Sequence, residues 1–383
     1  MKRKRKVAKT VLSLCTVLVL CWLFPGFAYA AESPAAAKDM YEAQYEAAGI
    51  GRIADMPDEE SQRYLEELGI DGADFDGLYN ISLTAVVKLI VSFFRKGCEA
   101  PLAALGTVGA VLIFSALGES FVKEENGAVL SAVSGGTLVL CLFAPLYGAV
   151  KAGMSCIGLA AEFEKVLIPV LAGLLAAGGN AAAALGFSSL TFAAAQAVEA
   201  MSEKVILPLC GASLALGAAG AVSPSLKLGT VGEQMTTVAR KAFGFAAGLY
   251  SALLGLKEIM ARPADTLFSR GIRLTLSSFL PVVGSAVSEA YATVAGSFSL
   301  LAATVGGFGM AAVAVTCLPI ITELAVWFLV LKVGETAAGM LGLPAQGNLL
   351  KSFSSAVSLL NILVVYTLLI FVISSGIVLS FRA

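Results

Sequence analysis

Histidine is absent from this chain, and with it go the commonest general base and the commonest metal ligand. The seven cysteines do not compensate. Cys15 and Cys21 fall near the amino terminus, while Cys98, Cys141, Cys156, Cys210 and Cys317 are scattered through or beside apolar runs. None forms a C-x-x-C pair and none lies in residues 31–80, so neither a zinc site nor a disulfide framework is indicated, and they read as small buried hydrophobes. No Gly-Lys-Ser/Thr phosphate loop and no Gly-x-Gly-Asp step occurs, which removes the usual nucleotide-hydrolysing and intramembrane-protease signatures. The reading is of a protein that is not an enzyme and holds no cofactor, with any energy supplied by a partner or an ion gradient. Charge is also scarce, at 14% of residues against 58% hydrophobic, with a mean hydropathy of +0.85. Soluble domains carry about a quarter charged residues, so the solvent implied for this chain is lipid.

What charge there is sits unevenly. Six basic residues among the first nine (Lys2, Arg3, Lys4, Arg5, Lys6, Lys9) precede an apolar run at 11–24, then Pro25, Gly26 and the small-residue step Ala28-Tyr29-Ala30. That order predicts a secretory signal peptide over 1–30, cleaved after Ala30; an uncleaved anchor is the alternative, disfavoured by the shortness of the run. Leu14 and Leu20 precede the two leader cysteines, where a lipoprotein would need a small residue. Residues 31–80 hold 13 acidic and 3 basic side chains, whereas 81–383 hold 14 acidic and 17 basic. A polar segment of that length buries little core alone. It reads as an acidic exported segment that docks on something else, with Tyr64, Leu65 and Leu68 forming one apolar edge of a helix at 58–68. Asp71, Asp74 and Asp76 lack the later Gly and Glu positions of a calcium loop, so they read as solvated surface.

From residue 81 onward the chain predicts an all-α polytopic membrane domain. Uncharged runs of 19 residues between Glu99 and Glu119, 25 between Glu125 and Lys151, 33 between Lys165 and Glu199, 22 between Lys204 and Lys227, 33 between Glu289 and Glu323, and 30 between Lys351 and Arg382 each suffice to cross a hydrocarbon core about 30 Å thick. Seven to nine transmembrane or re-entrant helices are expected. Gly and Ala are dense over 279–331 and at Gly244-x-x-x-Gly248, which suits close helix packing. The positive-inside rule favours the basic cluster Lys257, Arg262, Arg270 and Arg273 as cytoplasmic, although Arg240 and Lys241 mark the other end of the same run.

Proline punctuates the domain at Ile168-Pro169-Val170, Leu207-Pro208-Leu209, Leu280-Pro281-Val282 and Leu318-Pro319-Ile320. A shift of 112 or 111 residues carries the first two onto the last two, which suggests two copies of one unit over about 158–260 and 268–370. Pro169, Pro208, Pro281 and Pro319 are therefore expected as helix breaks lining a cavity at a repeat interface. A tighter repeat pairs Glu164-Lys165-Val166-Leu167-Ile168-Pro169 with Glu203-Lys204-Val205-Ile206-Leu207-Pro208. Glu164, Lys165, Glu203 and Lys204, together with Glu289 and Glu323, are the candidates for a polar path or an assembly contact. They are either interfacial charges that snorkel or groups at membrane depth, and Lys332 is a candidate partner for Glu323.

The order of these features, with Phe243-Gly244-Phe245-Ala246-Ala247-Gly248-Leu249-Tyr250, Arg262-Pro263-Ala264-Asp265 and Phe279-Leu280-Pro281-Val282-Val283-Gly284, resembles the stage III sporulation protein AE family of endospore-forming bacteria over essentially the whole chain. The resemblance implies a mother-cell membrane protein, with residues 31–80 extracytoplasmic, in a channel-like complex that joins mother cell to forespore and is needed for late forespore development. Its implied partners are the other stage III sporulation proteins, a forespore-membrane protein across the intermembrane space, and the bilayer, with no nucleic acid. It implies no catalytic residues. A free-standing secondary transporter using the proline steps and intramembrane carboxylates is the rival reading.

Overall fold

A computed structural model describes Tyr45 and residues 50–70, 81–121, 124–222, 228–279 and 284–380. The leader, most of the acidic segment ahead of Ile50, the Asp71, Asp74 and Asp76 group and Pro281 lie outside the described residues. After a single turn at Gly51–Ala54 come α1 (Glu59–Glu67), α2 (Leu83–Phe121), α3 (Glu124–Ala177), α4 (Ala181–Met201), a π-helical turn (Ser202–Ile206), α5 (Leu207–Val222), α6 (Leu228–Phe279), α7 (Gly284–Met340) and α8 (Pro344–Ser380). Among the described residues five stretches are long and apolar enough to cross a membrane: Thr84–Phe121, Val129–Ala177, Ala181–Gly220, Tyr291–Met340 and Pro344–Gly376.

These helices are fewer and longer than the uncharged runs suggest. At 1.5 Å per residue the 57 residues of α7 extend about 85 Å. Charges such as Lys151 do not end a helix, so runs on either side of one fuse. Proline does not end these helices either: Pro101 lies inside α2, Pro145 and Pro169 inside α3, and Pro319 inside α7. The expected breaks at Pro169 and Pro319 are thus absent. A missing N–H costs one backbone bond, and a helix held by neighbours along its length absorbs that loss. Of the three described prolines among the expected breaks, Pro208 alone coincides with altered geometry, following the π-turn that carries Glu203 and Lys204.

The core is the α7–α8 hairpin. Every residue from 301 to 315 is buried, as expected of a helix apolar on all sides and rich in Gly and Ala. A Cβ on Gly309 would sit 2.5 Å from Leu167 Cδ2 of α3 and 3.2 Å from Phe371 Cζ of α8, so glycine is what lets three helices meet there. The hairpin turns at Gly342, whose φ is +76°. Leu343 donates its N–H to the Ala338 carbonyl at 2.9 Å, a Schellman closure, and Pro344 opens α8 at a first helical position that needs no donor. A second long hairpin, α4 through α5 against α6, packs beside the first. On the outward sides of α2 and α3, Val91, Phe94, Ile113, Phe114, Leu140 and Phe143 are exposed.

The described part of the acidic segment, residues 50–70, is not a separate body. Ile50, Ile53, Tyr64, Leu65 and Ile70 are buried against the bundle, with Tyr64 and Leu65 from the expected apolar edge and Leu68 half-buried. Asp58 caps α1 by accepting from the Ser61 N–H at 3.3 Å, and Tyr64 meets Phe93 of α2 edge-on at 4.7 Å.

Candidate functional site

At the level where α1 docks, polar groups cross the bundle in a belt. Its outer edge is the Glu60, Tyr64 and Lys96 cluster. The Tyr64 hydroxyl donates to Glu60 Oε1 at 2.7 Å, and Lys96 Nζ lies 2.9 Å from that hydroxyl and 3.5 Å from the carboxylate. The Tyr64 hydrogen bond and, after it, the nearby lysine hold the Glu60 carboxyl below its ordinary range, while burial pushes the Tyr64 phenol up. One step inward, the Ser61 and Thr316 hydroxyls share a hydrogen bond at 2.9 Å. Next to Thr316, Cys317 of α7 meets Cys156 of α3 with the sulfurs 3.3 Å apart, both thiols buried and unoxidised.

Glu164 of α3 sits further in. It is 2% exposed and its Oε1 has no hydrogen-bond partner. Ala161 of α3, Ala195 and Val198 of α4, and Thr367 and Ile370 of α8 line the space around it, which leaves no room for a water molecule. Two hydroxyl groups complete the belt. Tyr250 of α6 and Ser374 of α8 share a hydrogen bond at 2.7 Å. Thr191 of α4 lies beside Tyr250 without a well-directed bond to it. Glu164 is an electrostatic neighbour of both Tyr250 and Cys317.

The other sequence candidates are distributed differently. Lys165 does not serve Glu164; it turns to Glu199 of α4, with Nζ 2.9 Å from Oε1 and 2.7 Å from Oε2. Glu203 and Lys204 lie in the π-turn, and Lys204 is exposed. Glu289 is exposed near the start of α7. Glu323 is half-buried where α2 passes close, a Cβ on Gly97 falling 3.2 Å from the Glu323 backbone nitrogen. Lys332, a candidate for Glu323, is bonded instead to Glu335 one turn on. A further inter-helix pair joins Lys351 of α8 to Glu233 of α6 at 2.6 Å. Sequence reasoning missed Glu199 as a partner, and it missed Thr191, Ser374 and the Cys156–Cys317 contact. Hydroxyls and thiols inside apolar runs carry little pattern, and only the folded registers bring them together. Among the described residues no group of three or more Cys, Asp or Glu side chains could hold a metal ion.

A family profile described as Stage III sporulation protein AE matches residues 73–381. The chain is 22% identical over 230 residues to stage III sporulation protein AE of Bacillus subtilis (strain 168). That match covers 59% of this chain and 58% of the relative, so the chain spans under two thirds of that protein's length. No solved structure matches.

Proposed function

The chain belongs to the stage III sporulation protein AE family, and from that premise we propose that it is a membrane component of a channel-like complex between mother cell and forespore, required for late forespore development. Family membership supports a sporulation role, and the five long apolar helices support residence in a membrane. The proposal puts that membrane at the mother-cell side, with a leader ending at Ala30 and residues 31–80 outside the cytoplasm. It takes as partners the other stage III sporulation proteins and a forespore-membrane protein across the intervening space. Family membership is what favours an assembly over a solitary protein, and the α2–α3 face is one surface open to lipid or to partners. Its exposed Val91, Phe94, Ile113, Phe114 and Phe143 form a broad apolar surface, and such surfaces mark contact with lipid or with other proteins. The duplication is supported by the two long hairpins, since the shift of about 111 residues carries α4 and α5 onto α7, and α6 onto α8.

The second reading, a free-standing secondary transporter, draws on the enclosed carboxylate of Glu164 and on the π-turn before Pro208. Purification from membranes of sporulating cells separates the two. Recovery together with other stage III proteins is the expected result. A stable protein that purifies alone and sustains substrate-dependent flux in vesicles would overturn the assembly reading.

A further inference from the structure

We propose that Glu164 is a proton-binding site: its carboxyl is held in the acid form where α3, α4 and α8 meet, and it yields the proton only when those helices part. Three observations carry this. The side chain is 2% exposed with Oε1 unpartnered. The space around it is lined by alanines, Val198, Ile370 and Thr367 and is too small for water, so neither a hydration shell nor a hydrated cation can balance a carboxylate there. The cation next to it in sequence, Lys165, is bonded to both oxygens of Glu199.

The groups facing Glu164 from each packed element are consistent with a neutral acid. From α4 come Ala195 and Val198, with the adjacent Glu199 bonded to Lys165, and the Tyr250 phenol of α6 is an electrostatic neighbour. From α7 comes the Cys317 thiol, held against Cys156 of α3 itself. From α8 come only the hydroxyls of Thr367 and Ser374, each donating to a carbonyl of its own helix. Among the described residues none of these is a free cation. An ionised Glu164 would therefore be unbalanced, whereas an acid presents one O–H to a shell that already contains hydroxyl oxygens. Release of the proton breaks that O–H bond, leaves the electron pair on the carboxylate and passes the proton to a water molecule. Water has to be admitted first, so loss of the proton and separation of the helices are one event. The inference concerns this chain alone and holds whichever partners it has.

Infrared spectroscopy of the purified full chain in lipid nanodiscs tests it, with lipids that carry protonated acids omitted. At about pH 7, well above the ordinary glutamate value near 4.3, wild type should show the carbonyl stretch of a neutral carboxylic acid. E164Q should lose it. Glu164→Asp, which keeps an acid in the same shell, should move the band without removing it, and so covers the case in which E164Q does not fold. A wild-type spectrum without the band at neutral pH overturns the proposal. So does a band that neither substitution removes or moves, because it would belong to another carboxyl.

Discussion

Two six-residue stretches of nearly the same sequence end up in different physical worlds. In the first, Glu164 through Pro169, the backbone stays α-helical, the glutamate is enclosed, and the lysine bonds Glu199 across to α4. In the second, Glu203 through Pro208, the chain passes through a π-turn and the lysine is exposed. Local propensity is nearly equal for the two, so what separates them is what stands opposite. The first stretch meets α4 and α8, whereas in the described part of the second only Ile206 is buried and Lys204, Val205, Leu207 and Pro208 are exposed. In a helical membrane domain the neighbours decide which charged residue is buried, and the sequence of one helix does not contain that information.

The largest contrast should come from charge reversal. Glu164→Lys forces a cation into a space with no room and no counter-ion, and it is expected to cost about 3–5 kcal/mol. Lys204→Glu in the exposed π-turn should stay within about 0.5 kcal/mol. Thermal aggregation midpoints of the detergent-solubilised proteins measure both, and equal losses would erase the distinction between the two stretches. A smaller effect is expected at the ion pair. Glu199→Leu strands Lys165, whose side chain is 33% exposed, at about 1–2 kcal/mol, and the Lys165→Met, Glu199→Leu double variant should recover most of it. Purely additive losses would mean that the pair contributes nothing beyond its packing. The smallest change in stability, below about 1 kcal/mol, is expected of Pro208→Ala, yet it should reshape the second stretch. If the proline imposes the π-turn, restoring the N–H lets the α-helix continue and turns α5 by about 100°. Cys210, now buried with its thiol 3.7 Å from the Ala356 carbonyl, would then react faster with maleimide. Pro169→Ala should leave Cys210 as it is. Unchanged labelling in Pro208→Ala would assign the π-turn to some cause other than the proline.

Much of the architecture was legible in the composition. The scarcity of charge, the uncharged runs and the Gly and Ala content specify an all-helical bundle, and the Glu-Lys-x-x-x-Pro repeat singles out the stretch of α3 that carries the buried Glu164. Helix number was not legible, because Lys151, Pro169 and Pro319 read as boundaries while a packed helix passes through all three. Within the belt the sequence marks Glu164 but not its isolation. That depends on Lys165 choosing Glu199, and on α8 presenting Thr367 and Ile370 at that level where it might have presented a base. Tyr250 belongs to the run that carries the family resemblance, yet its bond to Ser374, 124 residues away, has no signature along the chain. The docking of α1 was half visible: Tyr64 and Leu65 mark the face, but nothing in the segment names Thr316 as the residue beneath Ser61.

The length of α7 has a bearing on how the molecule sits in its membrane. A bilayer shelters about 20 residues of a helix, fewer than half of the 57 in α7. Within it, residues 301–315 are sheathed on every side by neighbouring side chains, so that stretch needs neither lipid nor water around it. Such a bundle does not take its thickness from the lipid. It can ride deeper or shallower as the bilayer thins or thickens, with little cost of mismatch along the sheathed stretch.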